Sequence, residues 1–533
     1  MRMDQLPDDV ETLKRLVIER DALAQLTAEE LEASRADARA KREELYAERL
    51  LVEKLKLQIA RLKRVQFGRS SERLDERVAQ LELIVEELES NLPPQEEAGP
   101  SVPPVDRARD KPARKPLPDH LPREVEEHAP ACGCPHCGTA LRRLGEDISE
   151  YLELIPEHFK VIRVVRPKMS CPKCSAVVQA PAPSRPIPKS IAGAGLLAHV
   201  AVGKYLDHLP LYRQSEIYAR QGIDLERSTM AGWIGAISDL VRPLVDEIGR
   251  YVVAGKKVHA DDTPVPVLDP GRGTTKTARL WAYVRDDRPA GSTDPPAAWY
   301  RYTPTREGAH PRAHLARFEG ILQADGFSGF NGLYESGRIR EAACWAHARR
   351  KFYDLFEANR SPVAREALDR IQALYAIEDA VRGKLPAERL AVRQRDAVPL
   401  LARLESWMRA TLATVSAKSE LAAAFNYSLK RWEALTRYSR DGTIEIDNNA
   451  AERAMKGPVL GRKNWLFAGS HDGGERAAAM YSLLETAKLN GIDPEAYLRQ
   501  VLERIPELPT HRIAELLPWN HALERSDDVR LAA

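Results

Sequence analysis

The first 92 residues show the apolar spacing of amphipathic helices. Two interleaved series of apolar side chains recur every seven residues: Leu45, Val52 and Ile59, and Leu55 with Leu62. This spacing is typical of a coiled-coil seam. After a break near residue 70, apolar steps of three and four predict a second amphipathic helix. The sequence leaves open whether this arm joins two chains or folds back on itself as a helical hairpin.

Residues 93–120 lose this pattern and combine repeated Pro with Gly, Ser and mixed charge. Such a segment cannot bury enough apolar surface to fold alone, so we expect a linker. Its basic residues could follow a phosphate backbone or could simply be solvated.

Residues 121–185 contain two Cys-x-x-Cys pairs, Cys134 with Cys137 and Cys171 with Cys174, on either side of a strand-like run at Phe159–Met169. Four thiolates complete the tetrahedral shell that Zn²⁺ prefers. Because no position is left for a reactive water, the predicted zinc is structural and not catalytic.

Residues 186–250 predict several short helices. Within them, a helix, a turn at Gly222 and a Ser/Thr-capped second helix from Ser228 follow the order of a helix-turn-helix unit. Such a unit either contacts DNA or serves only as packing.

From residue 251 the apolar pattern changes to that of strands. Three runs rich in Val, Tyr and Trp predict an antiparallel meander, and the first carries Asp261 and Asp262. A fourth run ends at Asp325, which precedes Gly326. A fifth strand candidate then leads into residues 361–440, which we expect to be helical throughout.

A final set of candidate residues begins at Asp447, which we expect to cap a helix carrying Glu452 on its second turn. Residues 461–464 are expected to form a loop. Two strand-borne aspartates and one helix-borne glutamate could together hold two divalent ions for phosphodiester chemistry. Oxygen ligands favour Mg²⁺ or Mn²⁺.

Charge and composition exclude little beyond membrane insertion and export. The 80 basic and 78 acidic residues leave a net charge of +2, which does not exclude nucleic acid as a partner. No run of roughly 18 apolar residues could span a membrane. The charged start lacks a signal peptide, so a cytoplasmic protein is expected.

Several long stretches resemble the DDE transposases of the insertion sequence 66 family. They occur in the family's order from about residue 65 to 510: QFGRSSERLD, the two cysteine knuckles, HADDTPVPVL, LQADGFSGFNGL, CWAHARRKF and IDNNAAERAMKGPVLGRKNWLFAGS. The resemblance implies an RNase H-like catalytic core with a helical insertion. It also implies that Asp261, Asp325 and Glu452 jointly bind two Mg²⁺ ions, which drive hydrolysis at the element's ends and strand transfer by the freed 3′-hydroxyl.

The chain departs from the family at Asp262, where a glutamate is usual. Strand neighbours point to opposite faces, so only one of Asp261 and Asp262 can face the metals, and we choose Asp261 from its alignment. Basic residues near the acids are candidates for DNA phosphate contact, with ordinary structural roles as the alternative for the second pair: Arg462 and Lys463, and Arg349 and Arg350 beside His347.

The predicted fold class is multidomain α+β, with an N-terminal coiled coil, a small zinc-binding domain with four cysteine ligands, and the RNase H-like core. The expected divisions are these: arm 1–92, basic linker 93–120, zinc domain 121–185, helical DNA-binding region 186–250, catalytic domain 251–490 with its insertion at 361–440, and helical tail 491–533.

The predicted function is that of an insertion-sequence transposase, which binds terminal inverted repeats and performs two-metal-ion cleavage and strand transfer. The alternative is a catalytically inactive DNA-binding relative that represses transposition. A zinc-dependent hydrolase is disfavoured because the cysteines form a closed shell away from the acids. Expected partners are double-stranded DNA of the element ends and target, further copies of the chain, and accessory proteins of the same element, in the nucleoid of a prokaryotic cytoplasm.

Overall fold

The computed structural model of the chain describes residues 41, 117–119, 121–130, 133–155, 158–269, 275–466 and 468–520. The predicted coiled coil lies outside these residues apart from position 41, as do most of the linker and the end of the predicted tail. Within the described ranges, no helix combines the length and apolarity needed to cross a membrane.

The cysteine region forms a sheet of four strands: β1 (Arg123–Glu127), β2 (Arg142–Ile155), β3 (His158–Ser170) and β4 (Val177–Gln179). Strand β3 is central. It pairs in parallel with β1 and antiparallel with β2 and β4. The predicted strand at residues 159–169 is confirmed. Strand β2 was not expected, because its many charged residues hide the apolar alternation that marks a half-buried strand.

Three helices follow: α1 (Ala194–Tyr205), α2 (Leu211–Arg220) and α3 (Arg227–Val253). The predicted order of helix, glycine turn and second helix is confirmed, with Gly222 at a φ of 76°. The predicted Ser/Thr cap is wrong. The N-cap residue of α3 is Glu226, and its side chain makes no capping hydrogen bond.

A second sheet occupies the middle of the chain. Its strands are β5 (Lys257–Leu268), β6 (Thr275–Arg285), β7 (Ala297–Thr303), β8 (Gly320–Ala324) and β9 (Ile339–Ala343). Their order is β7-β6-β5-β8-β9. Strands β5, β6 and β7 pair antiparallel, which confirms the predicted meander, whereas β8 and β9 continue the sheet in parallel from β5. Two short helices connect these strands: α4 (Ala309–His314) and α5 (Asn331–Tyr334).

A helical segment leaves the sheet after β9. It contains α6 (Trp345–Asn359), α7 (Pro362–Val381), α8 (Pro386–Val392), a π-helical turn (Arg393–Ala397), α9 (Val398–Leu412), α10 (Glu420–Lys430) and α11 (Trp432–Thr436). The predicted helical character of residues 361–440 is confirmed. The segment has an apolar core of its own that includes Phe352, Ile371 and Phe425. The chain enters and leaves this segment side by side, because the backbone N–H of Trp345 donates to the carbonyl O of Ile446 at 3.1 Å.

Three helices return to the sheet: α12 (Asn449–Trp465), α13 (His471–Leu489) and α14 (Pro494–Arg504). Short 3₁₀ turns complete the described chain: Arg288–Ala290, Ser328–Phe330, Arg437–Arg440, Ile505–Glu507, Thr510–Leu516 and Pro518–Asn520. Helix α13 covers the edge strand β7. The backbone N–H of Tyr300 donates to Ser482 Oγ at 2.8 Å, and that of Ala298 donates to Thr486 Oγ1 at 3.1 Å. The helix therefore satisfies polar groups that an open sheet edge would expose.

The predicted loop at residues 461–464 is wrong, because α12 continues to Trp465. Pro458 has no N–H for the helical bond to the carbonyl of Ala454. The hydroxyl of Tyr300 donates to that carbonyl O instead, at 2.7 Å. Gly461 permits close packing, since a Cβ there would lie 2.7 Å from Trp465 Nε1. Tertiary packing thus keeps this stretch helical, although its Gly and Pro residues predicted a break.

Candidate metal centres

The four cysteines of the two knuckles converge on one point. Their Sγ atoms all lie within 4.8 Å of one another. The Sγ of Cys134 lies 3.4 Å from that of Cys174, and the Sγ of Cys137 lies 3.4 Å from that of Cys171. A tetrahedral zinc ion with sulfur at about 2.3 Å sets sulfur–sulfur distances of about 3.8 Å. Small outward shifts of the thiolates would therefore accommodate Zn²⁺.

The two knuckles share one backbone pattern. The N–H of Gly138 donates to the carbonyl O of Cys134 at 2.8 Å, and the N–H of Ser175 donates to that of Cys171 at 2.9 Å. Both donors have left-handed backbone, with φ of 69° at Gly138 and 58° at Ser175. Each knuckle thus closes the same tight turn, which directs its two thiolates to one side.

The central sheet brings Asp261 and Asp325 together. Strands β5 and β8 pair in parallel with Val258 opposite Leu322 and His259 opposite Gln323. Continuing this register by two positions places Asp261 level with Asp325, directly after the last residue of β8. Residues level with each other in neighbouring strands point to the same face. The two carboxylates therefore share one face at the end of β8.

The helical segment holds the turn that presents Asp325. The hydroxyl of Tyr427 donates to the carbonyl O of Asp325 at 2.9 Å, and Arg431 Nη2 donates to that of Gly326 at 2.9 Å. Gly326 has a φ of 82°, where a side chain would be strained. The Asp325 carboxylate accepts the N–H of Phe327 at 2.9 Å.

Asp261 and Asp262 occupy opposite electrostatic environments. The side chain of Asp262 is 2% exposed and binds Arg306 at 2.8 Å and Arg279 at 3.1 Å. Asp261 has no ion pair with lysine or arginine in the described part of the chain. Burial raises the pKa of Asp261 to about 7, and the negative charges of Asp325, Asp262 and Glu452 add to this rise. The Asp261 carboxylate thus lacks a cation, whereas its neighbour has two.

Asn448 fixes the start of the helix that carries Glu452. Its Nδ2 donates to the carbonyl O of Ala260 at 2.8 Å, and its Oδ1 lies 3.1 Å from Nδ1 of the buried His259. Glu452 lies in the first turn of α12 and not in the second, and the N-cap residue is Asn448 and not Asp447. Asp447 instead accepts the N–H of Asn449 at 3.1 Å. The first turn of α12 is therefore tied to the backbone next to Asp261.

Glu452 also belongs to a second cluster that the sequence did not reveal. Its Oε1 lies 3.5 Å from His347 Nδ1 and 3.9 Å from Cys344 Sγ. Burial raises the pKa of the Cys344 thiol to about 12, against backbone hydrogen bonds that lower it. The Cys-x-x-His spacing at the start of α6 is the signal that could have identified this cluster. The carboxylates of Asp261, Asp325 and Glu452 are spaced more widely. Among the described residues, these three do not form a group whose ligand atoms all lie within 4.8 Å of one another.

The predicted DNA-contact residues differ in how far their side chains are engaged within the protein. Arg462 Nη1 donates to the carbonyl O of Pro264 and to Thr263 Oγ1, so this side chain is engaged with β5. Lys463 is exposed one residue later. On α6, Arg349 lies 5.8 Å from the ring of Tyr353, and Arg350 is exposed.

Comparison with known proteins covers most of the chain. Residues 189–476 match a family described as "Transposase IS66 family", and residues 482–519 match the "IS66 C-terminal element". Residues 131–175 match the "zinc-finger binding domain of transposase IS66", and residues 54–125 match "Transposase C of IS166 homeodomain".

Three uncharacterized proteins of Sinorhizobium fredii are similar over long stretches. Protein y4hP is 40% identical over 501 residues, which cover 90% of each chain. Protein y4qI is 40% identical over 532 residues, which cover 97% of each chain. Protein y4jD is 40% identical over 429 residues, which cover 78% of this chain and 83% of its own.

Proposed function

The chain belongs to the IS66 family of transposases, and from this premise we propose that it cuts and joins DNA strands at a site formed by Asp261, Asp325 and Glu452. The catalytic core under this proposal is RNase H-like and spans residues 251–490. The strand order of the central sheet supports it, since three antiparallel strands are followed by two parallel ones. The first aspartate lies on the first strand of that sheet and the second follows the fourth.

The convergence of separate elements on one face carries the proposal. The β5–β8 register brings Asp261 level with Asp325. Asn448 ties the helix of Glu452 to Ala260, next to the first aspartate. The charge of Glu452 raises the pKa of Asp261, although less than burial does, so the two groups are electrostatically coupled. Carboxylates so gathered, with no lysine or arginine ion pair among the described residues, favour a bound cation.

The ligands suit Mg²⁺ or Mn²⁺, because all three side chains offer carboxylate oxygen. Divalent ions at such a site activate a water or 3′-hydroxyl nucleophile and stabilise the leaving oxygen. The residues of this chain would hold those ions from three directions, and Asn448 would keep the helix of Glu452 in place. Asp262 is left out of the site because Arg279 and Arg306 already neutralise it.

DNA recognition is proposed for the part of the chain before the core and for basic residues beside it. The four cysteines and the zinc-finger match support a structural Zn²⁺ ion in this part. Helices α2 and α3 would contact the element ends. Lys463, Arg349 and Arg350 would contact phosphate, whereas Arg462 would mainly hold α12 against β5. Target DNA, further copies of the chain and accessory proteins of the element complete the proposed partners.

The test is Mg²⁺-dependent cleavage and joining of DNA that carries the element's own ends. Asp261→Asn, Asp325→Asn and Glu452→Gln should each lower cleavage by at least about a thousandfold while end binding is retained. Asp354→Asn is the matched control, because Asp354 is exposed on α6 and should leave cleavage unchanged.

Retained cleavage in any one of the three variants would remove that residue from the site. If the unaltered protein binds the ends firmly and cleaves nothing even with the element's accessory proteins present, the inactive DNA-binding relative is the better description.

A further inference from the structure

We propose that Cys344, His347 and Glu452 form a second metal site, which takes a transition-metal ion of the Zn²⁺ type beside the carboxylate cluster. Ligand atoms of the three side chains lie within 4.8 Å of one another. Binding at this site does not depend on the proposed function. Its effect on DNA cleavage does rest on it.

The spacing of the three ligand atoms suits a zinc ion. Zinc binds cysteine sulfur at about 2.3 Å, and histidine nitrogen and carboxylate oxygen at about 2.0–2.2 Å. Tetrahedral ligands at those lengths lie roughly 3.3–3.7 Å apart. Glu452 Oε1 lies 3.5 Å from His347 Nδ1 and 3.9 Å from Cys344 Sγ, so these two pairs require only slight closure.

His347 supplies an independent observation. Its Nδ1 atom is buried from solvent and has no hydrogen-bond partner among the residues that the structure describes. A buried ring nitrogen that makes no hydrogen bond is unfavourable unless another ligand satisfies it. Neutral imidazole nitrogen is a common ligand for zinc, and this atom faces the carboxylate of Glu452.

The surrounding backbone favours negative ligands. Cys344 is the N-cap residue of α6, and Glu452 lies in the first turn of α12, so both face helix N-termini. The backbone N–H of Asn448 donates to Cys344 Sγ at 3.2 Å. On binding, the thiol proton leaves to solvent, the sulfur forms a bond to the metal, and the metal loses water ligands. The fourth position stays open for water.

The ligand set distinguishes this site from the proposed magnesium site. One sulfur and one imidazole favour zinc over Mg²⁺, which prefers oxygen alone. Glu452 is shared between the two sites. Zinc at Cys344 and His347 would therefore withdraw Glu452 from Asp261 and Asp325, so zinc should inhibit Mg²⁺-dependent cleavage.

The experiment measures zinc bound to the full chain after equilibration with a buffered zinc concentration. We expect two ions per chain in the unaltered protein. Cys344→Ser and His347→Gln should each retain one ion, and the affinity for the second should fall by at least about tenfold. Cys134→Ser should lose the other ion. His199→Gln is the matched control, since His199 pairs with Glu495 away from the cluster.

Cobalt supplies a readout that does not depend on the folding of any variant. Added to unaltered protein that has been loaded with one equivalent of zinc, which fills the site of the four cysteines, Co²⁺ should give the sulfur-to-metal absorption of a single thiolate, and this absorption should be absent from Cys344→Ser. Unchanged zinc content and affinity in both cluster variants, or no cobalt–thiolate absorption in the unaltered protein, would overturn the proposal. These outcomes are read without DNA, so they are distinct from a failure of the proposed cleavage activity.

Discussion

At the scale of single residues, the contrast between Asp261 and Asp262 shows how two adjacent carboxylates acquire different roles. The buried Asp262 pairs with two arginines, whereas Asp261 has no such pair among the described residues and lies near the negative charges of Asp325, Asp262 and Glu452. A buried charge with partners supports the fold, but a buried charge without them opposes it. The two residues should therefore respond to the same substitution with opposite changes in stability.

Asp262→Asn should lower the free energy of unfolding by about 1–3 kcal/mol, because the partly exposed Arg279 and Arg306 lose their charged acceptor. Asp261→Asn should instead raise it. The folded pKa of Asp261, about 7, lies above its unfolded value. Ionisation therefore destabilises the fold as pH rises from about 4. The gain from Asp261→Asn should be absent near pH 4 and complete above about pH 7.

Denaturant unfolding of both variants at several pH values, with divalent ions removed, checks this pair. The interpretation of Asp261 fails if its variant is destabilised above pH 7. Strand alternation predicted that the two aspartates face opposite ways. The sequence could not identify Arg279 and Arg306, because the strand register and the loop after β7 decide which cations reach Asp262.

At the scale of elements, each of the two cysteine knuckles contains one residue with left-handed backbone, and the residue type differs between them. The left-handed position is glycine in the first knuckle, at Gly138, and serine in the second, at Ser175. The knuckles were readable from sequence because their spacing is local. Strand β2 was not readable from the sequence, because its conformation depends on pairing with β3.

Gly138→Ala should weaken zinc binding by roughly 5–30-fold, because a left-handed alanine costs about 1–2 kcal/mol. Space is not the cause, since a Cβ at Gly138 would meet no atom within 4 Å. Ser175→Gly should strengthen binding by a similar or smaller factor. Competition with a chromophoric chelator measures both affinities, and a change of affinity in the same direction for the two substitutions would contradict the assignment.

Helix α12 shows why local sequence signals did not predict that its second half is helical. Gly457, Pro458 and Gly461 indicate a loop when read alone. The helix persists because Tyr300 of β7 takes the hydrogen bond that Pro458 cannot make. A residue about 150 positions away thus decides the local structure, and sequence reasoning had no access to it.

At the scale of the whole molecule, a buried charge network joins the helical segment to the central sheet. Lys257 at the start of β5 is 2% exposed and lies 3.7 Å from Glu445. Arg389 of α8 is 1% exposed and lies 3.0 Å from the same carboxylate. Burial alone would raise the pKa of Glu445, but these two cations lower it. One carboxylate therefore connects the two cores.

Glu445→Gln should lower the free energy of unfolding by about 1–3 kcal/mol, because Lys257 and Arg389 lose one carboxylate but keep Asp287 and Glu378 as partners. Glu405→Gln is the matched control, since Glu405 and Arg409 form an exposed pair on α9. Its effect should stay below about 1 kcal/mol. Equal losses in the two variants, measured by denaturant unfolding, would show that the network does not join the two cores.

The N-terminal arm carries the remaining prediction at this scale. A chain that lacks residues 1–64 should lose self-association, because it lacks the heptad seam. Sedimentation of the full and shortened chains over a range of concentrations compares them. Equal assembly would favour the helical hairpin. The seam stays a prediction that rests on heptad spacing, which is a property of the sequence alone, whereas the number of chains is not.

The helical segment between Asp325 and Glu452 also sets the order in which the proposed site is completed during protein synthesis. Both aspartates are translated before this helical segment, and Glu452 is translated roughly 130 residues after Asp325. At about 5–20 residues per second, the nascent chain carries two of its three carboxylates for roughly 6–25 s. Under the proposed function, a growing chain would therefore be unable to cut DNA until translation has passed the helical segment, and a message truncated within that segment would yield a protein without the third carboxylate.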